Sequence, residues 1–434
     1  MNHHTPLHTR FLVGCEPHLP LTHINLCFET SPVFDPPGLE GLTCLTNRLL
    51  LEGTHDLTRQ AFHEQVEGLG TEVVSATQSN WVSLGGMVLS AHRDRFLQLL
   101  KHAVTVPRLD ALALERIRRE MLSEIELLGD EDGYLARYWL KQVIFQQSPL
   151  GNHPLGRADS LRNITLDDVK LRHRETYSQG RLWVGLSTNA SSDDAMKMCA
   201  DWASDLPLGQ PFMVDDLRAD PISGRHVLLV DKPARTQAQL LVGHPAVQLS
   251  AAEQWHLQVA IDAFGGAFSS RLVQELRVKR GLSYDPYAYL SVEKLGGLFL
   301  MGASTDGTRL TEAIKVMLDE FEQLCSAGLS AAELQLARQA RQNSFPFTIE
   351  TTTLEVSQRL RGRLRGLRPG WIEDYLETLA RASAAEIGDS VRAALRPNDV
   401  WIVAVCTVTD ELAQACHDLP GVQTVRVVNH QDRS

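Results

Sequence analysis

Residues 41–54 read GLTCLTNRLLLEGT, and their apolar positions recur with the spacing of an amphipathic helix. We predict a helix over about 39–51. On such a helix Cys44 and Arg48 stand one turn apart on the same face, with Asn47 beside them. Two metal ligands could use that spacing, but a guanidinium has no lone pair to give a metal and an amide cannot take a proton from water. At this helix, therefore, Arg48 offers no metal ligand and Asn47 offers no base.

The bulk properties are those of a globular protein with more than one domain. The chain has 434 residues, of which 43% are hydrophobic and 22% charged. Its length fits two domains of about 200 residues each. The net charge of −11 argues against a nucleic-acid partner. No apolar run approaches the roughly 18 residues that span a bilayer, so we expect no membrane association.

The cysteines indicate a reducing compartment. They are odd in number, they are scattered, and no two of them form a C-x-x-C pair. Most stand in apolar context, as reduced core residues do. We therefore expect a cytoplasmic protein with free cysteines at positions 15, 27, 44, 199, 325, 406 and 416.

The order of predicted elements repeats along the chain. In the first half, a strand that ends at 88–90 is followed by a helix and then by a long helix that begins at 109–111. The second half has the same order, with the strand ending around 302–304 and the long helix beginning at 329–331. The separation of about 215–220 residues is half the chain and suggests an α/β duplication, with two unrelated α/β domains as the alternative. Residues 209–225 contain Pro, Asp and Gly and show no periodicity, which is typical of a linker. The predicted division is therefore domain 1–208, linker 209–225 and domain 226–434.

Several stretches resemble one family over nearly the whole chain. Residues 264–272 read FGGAFSSRL and 276–284 read LRVKRGLSY, while GTEVVSA at 70–76 and HPLGR at 153–157 match further segments. These stretches and 41–54 are similar to the M16 (pitrilysin, inverted-zincin) peptidases, in particular the M16B-like subunits that lack the zinc motif. In the catalytic members the helix reads G-L-x-H-x-x-E-H, which binds zinc and activates water.

The resemblance implies a fold and indicates which residues occupy the family's zinc-site positions in this chain. Each half should be a mainly antiparallel sheet with flanking helices, and the chain should form half of a clam-like chamber. The family's third zinc ligand, a Glu about 76 residues after the second His, corresponds to Glu124, and a second family Glu is replaced by Ile117. The degenerate zinc-site positions are thus Cys44, Asn47, Arg48 and Glu124. We expect no metal in this chain and a hydrogen bond from Arg48 to Glu124 in its place.

The same resemblance assigns two donors in the second half. The family has an Arg and a Tyr seven residues apart that hold the substrate carbonyl oxygen, and here they are Arg277 and Tyr284. Gly265 and Gly266 would allow a close backbone turn or the approach of a peptide. Without the resemblance, Arg277 belongs to a solvated basic cluster and Tyr284 is an ordinary strand residue.

Three functional hypotheses follow. The first is a non-catalytic subunit that binds peptide and completes the site of a homologous M16 partner, which would carry zinc in an intact H-x-x-E-H. The second is a purely structural scaffold or core subunit. The third is an enzyme with reworked metal chemistry at Cys44 and Glu124, which Arg48 disfavours because it occupies the remaining ligand position.

Overall fold

The computed structural model describes residues 10–146, 148–213, 217, 220–246 and 250–432, so the predicted linker at 209–225 lies partly outside the described residues. The described chain forms two compact units, each built on one sheet. Among the described residues, no helix has the length and apolarity needed to cross a membrane.

The first sheet is made of β1 (Phe11–Cys15), β2 (Leu21–Glu29), β3 (Val74–Thr77), β4 (Trp81–Leu89) and β5 (Leu182–Thr188). Their spatial order is β1-β5-β2-β4-β3. Strands β1 and β5 pair in parallel, and all other neighbours are antiparallel. The helices of this part of the chain are α1 (Leu42–Leu49), α2 (Arg59–Glu67), α3 (Arg93–Thr105), α4 (Ala111–Asp130), α5 (Asp132–Ile144), α6 (Ala158–Asn163), α7 (Leu166–Thr176) and α8 (Ser192–Ala203).

The second sheet is made of β6 (Arg225–Asp231), β7 (Gln237–Ala246), β8 (Tyr287–Glu293), β9 (Gly296–Asp306), β10 (Val400–Cys406) and β11 (Val422–Asn429). Its spatial order is β11-β6-β10-β7-β9-β8. The helices are α9 (Ala251–Ile261), α10 (Leu310–Ala327), α11 (Ala331–Ser344), α12 (Thr352–Leu364), α13 (Trp371–Arg381), α14 (Ala384–Ala394) and α15 (Asp410–His417), and π-helical turns cover Asp262–Gly266 and Val273–Lys279.

The two sheets have the same topology. Strands β6, β10, β7, β9 and β8 repeat the order and directions of β1, β5, β2, β4 and β3, and β11 is an added edge strand. The succession β4, α3, α4 is repeated as β9, α10, α11. The predicted α/β fold with two homologous halves is confirmed.

The sequence did not indicate β10, although it lies at the centre of its sheet. Its seven residues, VWIVAVC, are all buried. A strand that is covered on both faces has no polar alternation to reveal it, and a short apolar run cannot be told from a buried helix. Strands β8 and β11 and helices α12–α15 also went unpredicted.

The compact units differ from the contiguous domains that the sequence predicts. Unit one consists of Met1–Ile125, Asn152–Asp215 and Pro346–Trp371, and unit two of Glu126–Gly151, Asp216–Phe345 and Ile372–Ser434. Helix α5 packs on β7 and β10 of the second unit, and α12 packs on β1 and β5 of the first. Each sheet is therefore covered on one face by a helix that the other half of the sequence encodes.

This exchange predicts where core truncations act. Leu140 of α5 and Leu360 of α12 are almost fully buried, so Leu140→Ala and Leu360→Ala should each cost about 2–5 kcal/mol of unfolding free energy. In hydrogen exchange by mass spectrometry, Leu140→Ala should lower protection in β7 and β10, and Leu360→Ala in β1 and β5. The half-exposed Leu336→Ala in α11 is the control. Loss of protection in the sheet of the same sequence half would contradict the exchange.

Candidate functional site

The first turn of α1 is fixed by a buried aspartate. Gly41 has a positive φ of 101° and ends the preceding turn, so α1 begins at Leu42 and not near residue 39. Asp35 accepts hydrogen bonds from the backbone N–H of Gly41 at 3.0 Å and of Thr43 at 3.1 Å, and from the Thr43 hydroxyl at 2.5 Å. These contacts satisfy donors that the helix itself leaves free. Burial raises the pKa of Asp35 to about 6, against the lowering effect of Thr43 and Arg172.

Asn47 takes part in the packing of the helix. Its amide donates to the carbonyl oxygen of Ala76 in β3 at 3.0 Å, and its carbonyl accepts from the hydroxyl of Tyr177 at 3.0 Å. Asn47 and Tyr177 are both buried. The residue at the family's catalytic Glu position thus ties α1 to β3 and to the end of α7.

Arg48 and Glu124 form the predicted hydrogen bond. Arg48 Nη2 donates to Glu124 Oε2 at 2.7 Å, although 76 residues separate the two. Their side chains are 30% and 41% exposed. Because solvent screens such a pair, it stabilises the fold by about 1 kcal/mol or less. The hydrogen bond joins α1 to α4.

The donor set at this helix does not fit zinc. Burial raises the pKa of the Cys44 thiol, although Arg48 acts in the other direction, so the metal-binding thiolate is disfavoured. The Asn47 side chain is hydrogen-bonded to Ala76 and Tyr177, and Glu124 accepts a hydrogen bond from Arg48. Within the described part of the chain, no three His, Cys, Asp or Glu side chains are grouped so that they could hold a metal.

Arg277 and Tyr284 are brought together in the second unit. The Arg277 Cζ lies 4.1 Å from the centroid of the Tyr284 ring and 5.2 Å from that of Phe268. Both rings are largely exposed, at 78% for Tyr284 and 65% for Phe268. Sequence reasoning gave Phe268 no role, although it stands in the stretch that carries the family resemblance. The arrangement is a cation stacked on aromatic rings at the protein surface.

The neighbouring cations pair with a carboxylate, and within the described residues Arg277 does not. Lys279 and Arg280 both pair with Glu275. Across the residues that the structure describes, Arg277 enters no ion pair and no side-chain hydrogen bond. Its guanidinium therefore keeps its N–H donors available to an acceptor from outside the chain.

A polar cavity of about 390 Å³ lies beside Tyr284. Its wall includes the hydroxyl groups of Ser283 and Ser304 and the carboxylate of Asp285. Asp285 accepts from the backbone N–H of Ser304 at 3.2 Å, which holds the carboxylate in place. The exposed Tyr284 therefore borders a concave polar surface.

The two glycines of the resemblance differ in their surroundings. Gly265 is buried, and a Cβ on it would lie 2.4 Å from the backbone nitrogen of Ala288 in β8. Close packing against the strand explains this glycine. Gly266 is exposed, and a Cβ there would meet only the Asp262 side chain at 3.2 Å. A role of either glycine in substrate binding stays a prediction.

The duplicated fold with a ligand-less metal helix defines a zinc-peptidase type of protein that is inactive at its own site. Two family models match the chain: "Insulinase (Peptidase family M16)" over residues 16–157 and "Peptidase M16 inactive domain" over residues 163–341. The chain belongs to the M16 peptidase family.

Relatives and solved structures agree with this assignment. A protein of Helicobacter pylori named "Non-peptidase homolog YmxG" is 25% identical over 89% of both chains. An uncharacterized zinc protease of Streptomyces coelicolor is 23% identical over 88% of this chain and 84% of its own. A crystal structure of a peptidase M16 inactive domain from Pseudomonas fluorescens matches with a TM-score of 0.85, 23% identity, and coverage of 92% of this chain and 95% of that one.

The donor set predicts the metal content. The purified chain should contain no stoichiometric zinc. The double change Cys44→His and Arg48→His places two imidazoles at i and i+4 and releases Glu124, so this variant should bind about one zinc per chain. Elemental analysis after dialysis against zinc measures both. Cys44→His alone, which keeps Arg48, is the matched control and should stay zinc-free; zinc in the unaltered chain would contradict the prediction.

Asp35 predicts a pH dependence. In the folded protein Asp35 keeps its proton up to about pH 6, whereas the unfolded chain releases it near its ordinary value of 3.8. Raising the pH through this window should therefore destabilise the unaltered protein relative to Asp35→Asn, by up to roughly 3 kcal/mol. Urea unfolding of both proteins between pH 4 and 7 measures the difference. A relative stability that rises with pH would show that the helix N–H groups and Arg172 hold Asp35 ionised.

Proposed function

We propose that this protein is the non-catalytic subunit of a heterodimeric M16 metallopeptidase. It binds peptide and supplies Arg277 and Tyr284 to the active site of a homologous partner whose own helix carries H-x-x-E-H and zinc. The chain itself holds no cofactor in this proposal. The peptide's sequence is set by the partner and by the surface around the two donors.

The observation that carries the proposal is the unneutralised state of Arg277. The neighbouring Lys279 and Arg280 pair with Glu275. Arg277 instead lies with its Cζ 4.1 Å from the Tyr284 ring centroid, and a cation–π contact of this kind does not use the N–H donors as a carboxylate would. Such a group is ready to accept negative charge from a bound molecule.

The chemistry of peptide cleavage has a use for these donors. When water attacks a peptide carbonyl, the oxygen gains negative charge, and donors that strengthen their hold only then accelerate the reaction. A guanidinium and a phenol hydroxyl both donate hydrogen bonds to an oxyanion. Zinc in the partner would activate the water, a task that Cys44, Asn47 and Arg48 cannot perform here.

The Arg48–Glu124 pair supports the division of labour. In this proposal Glu124 has no metal as its counter-charge, and its side chain is 41% exposed, so solvent screens the charge only in part. Arg48 supplies that counter-charge at 2.7 Å, so α1 keeps its place without zinc. The first half can then serve as scaffold while the second half serves the partner.

The alternative is a purely structural M16-like scaffold. The same emptied helix fits that function equally well. The two hypotheses differ at Arg277 and Tyr284, because a scaffold has no need of a half-buried cation that has no carboxylate partner among the described residues. We favour the subunit function for this reason.

The assembly and its location complete the proposal. We expect an obligate partner of similar size and an interface of roughly 2,000 Å² or more. The seven cysteines are all free, which supports a cytoplasmic pair. We expect no nucleic acid and no membrane as partners.

The decisive experiment reconstitutes the pair with altered donors. Arg277→Ala or Tyr284→Phe should lower kcat for peptide cleavage by about 10²–10³-fold, because each donor acts mainly in the transition state. KM, pair assembly and the partner's zinc content should stay unchanged. Steady-state kinetics on a peptide substrate of the zinc-bearing homologue measures the effect.

Lys279→Ala and Arg280→Ala are the matched controls, since they remove nearby cations that already pair with Glu275. Both should leave kcat nearly unaltered. Full activity of both donor variants in an assembled pair would reject the subunit function in favour of the scaffold.

A further inference from the structure

Phe268 is an exposed aromatic residue with a specific contact. Its ring is 65% exposed, and its centroid lies 5.2 Å from the Arg277 Cζ. The backbone around it is held in place, because Gln274 Nε2 donates to the Phe268 carbonyl oxygen at 3.0 Å and Ser270 N–H donates to Ala267 at 2.9 Å. The ring thus adds little to the core and stands on an anchored turn next to the cation.

We propose that Phe268 is a positioning residue that, together with Tyr284, holds the Arg277 guanidinium through cation–π contacts and leaves its N–H donors free for a substrate oxygen. This inference rests on the proposed function and adds a third residue to it. Phe268 does not touch the substrate oxygen in this proposal; it acts through Arg277.

Arg271, six residues before Arg277, is held in a different way. Arg271 donates to both carboxylate oxygens of Glu333 at 2.8 Å and to the Gly328 carbonyl at 2.9 Å. That arginine is held through its Nε and Nη2 donors, which are then occupied. Arg277 has no such partner in the described ranges and is contacted by two rings instead.

Stacking solves a problem that a carboxylate partner would create. A long arginine side chain pays rotamer entropy whenever it is held in one geometry. A carboxylate could hold it, but would occupy the donors and neutralise the charge that an oxyanion needs. Two aromatic faces restrain the plane of the guanidinium and leave its rim open.

The test distinguishes the effect of the aromatic ring of Phe268 from the effect of its apolar volume. In the reconstituted pair, Phe268→Ala and Phe268→Leu should both lower kcat by about 3- to 30-fold, the range expected when one cation–π contact is lost. Phe268→Tyr keeps the face and should stay within about twofold of the unaltered protein. KM and the partner's zinc content should not change. Phe347→Ala removes an equally exposed ring that has no arginine over it among the described residues and should be silent.

A double-variant cycle ties the effect to Arg277. In the Arg277→Ala background, Phe268→Leu should cause no further loss, because the group it positions is gone. Equal kcat for Phe268→Leu and the unaltered chain, with Arg277→Ala still crippled, would overturn the positioning role and leave the proposed function intact. Silent Arg277→Ala and Tyr284→Phe would overturn both. Thermal unfolding of the isolated chain checks that the exposed substitutions leave the fold unchanged.

Discussion

The architecture depends on the need to cover each sheet on both faces. Strands β6, β7 and β10 carry apolar residues toward both sides, and β10 is buried along its whole length. A sheet of this kind cannot leave one face in water without exposing a large apolar surface. Helix α5 supplies that cover for the second sheet and α12 for the first. Because each comes from the opposite half of the sequence, neither half contains all the helices of its own unit.

The duplicated order of elements also repeats an ion pair. In the first unit Arg48 of α1 binds Glu124 of α4. In the second unit Asp262, which follows α9, accepts from Arg341 of α11 at 2.5 Å. The helices correspond in order, and the polarity of the charges is reversed. A charge-assisted hydrogen bond thus joins α1 to α4 in the first unit and the turn after α9 to α11 in the second.

Two arginines in one segment show how surroundings decide what a cation can do. Arg271 spends its donors on Glu333, which keeps the turn before it attached to α11. Arg277 rests on aromatic faces and keeps its donors. The side chains are chemically identical, but only the second can respond to a negative charge brought by a ligand.

The sequence by itself indicated which chemistry the residues of α1 cannot perform. By residue type alone, Arg48 cannot ligate a metal and Asn47 cannot act as a base. The family resemblance was enough to predict the hydrogen bond between Arg48 and Glu124. The sequence also indicated the duplication, because the amphipathic helices and half-buried strands carry their periodicity locally.

Only the tertiary structure decided what depends on distant partners. Strand β10 is buried on both faces, so its sequence shows no alternation of apolar and polar residues. The exchange of α5 and α12 cannot be predicted from a local pattern, because an apolar helix face does not indicate which sheet it packs on. The same holds for Phe268, whose meaning comes from Arg277 nine residues later. A turn must first fold back to bring ring and cation together, and spacing along the chain does not encode that geometry.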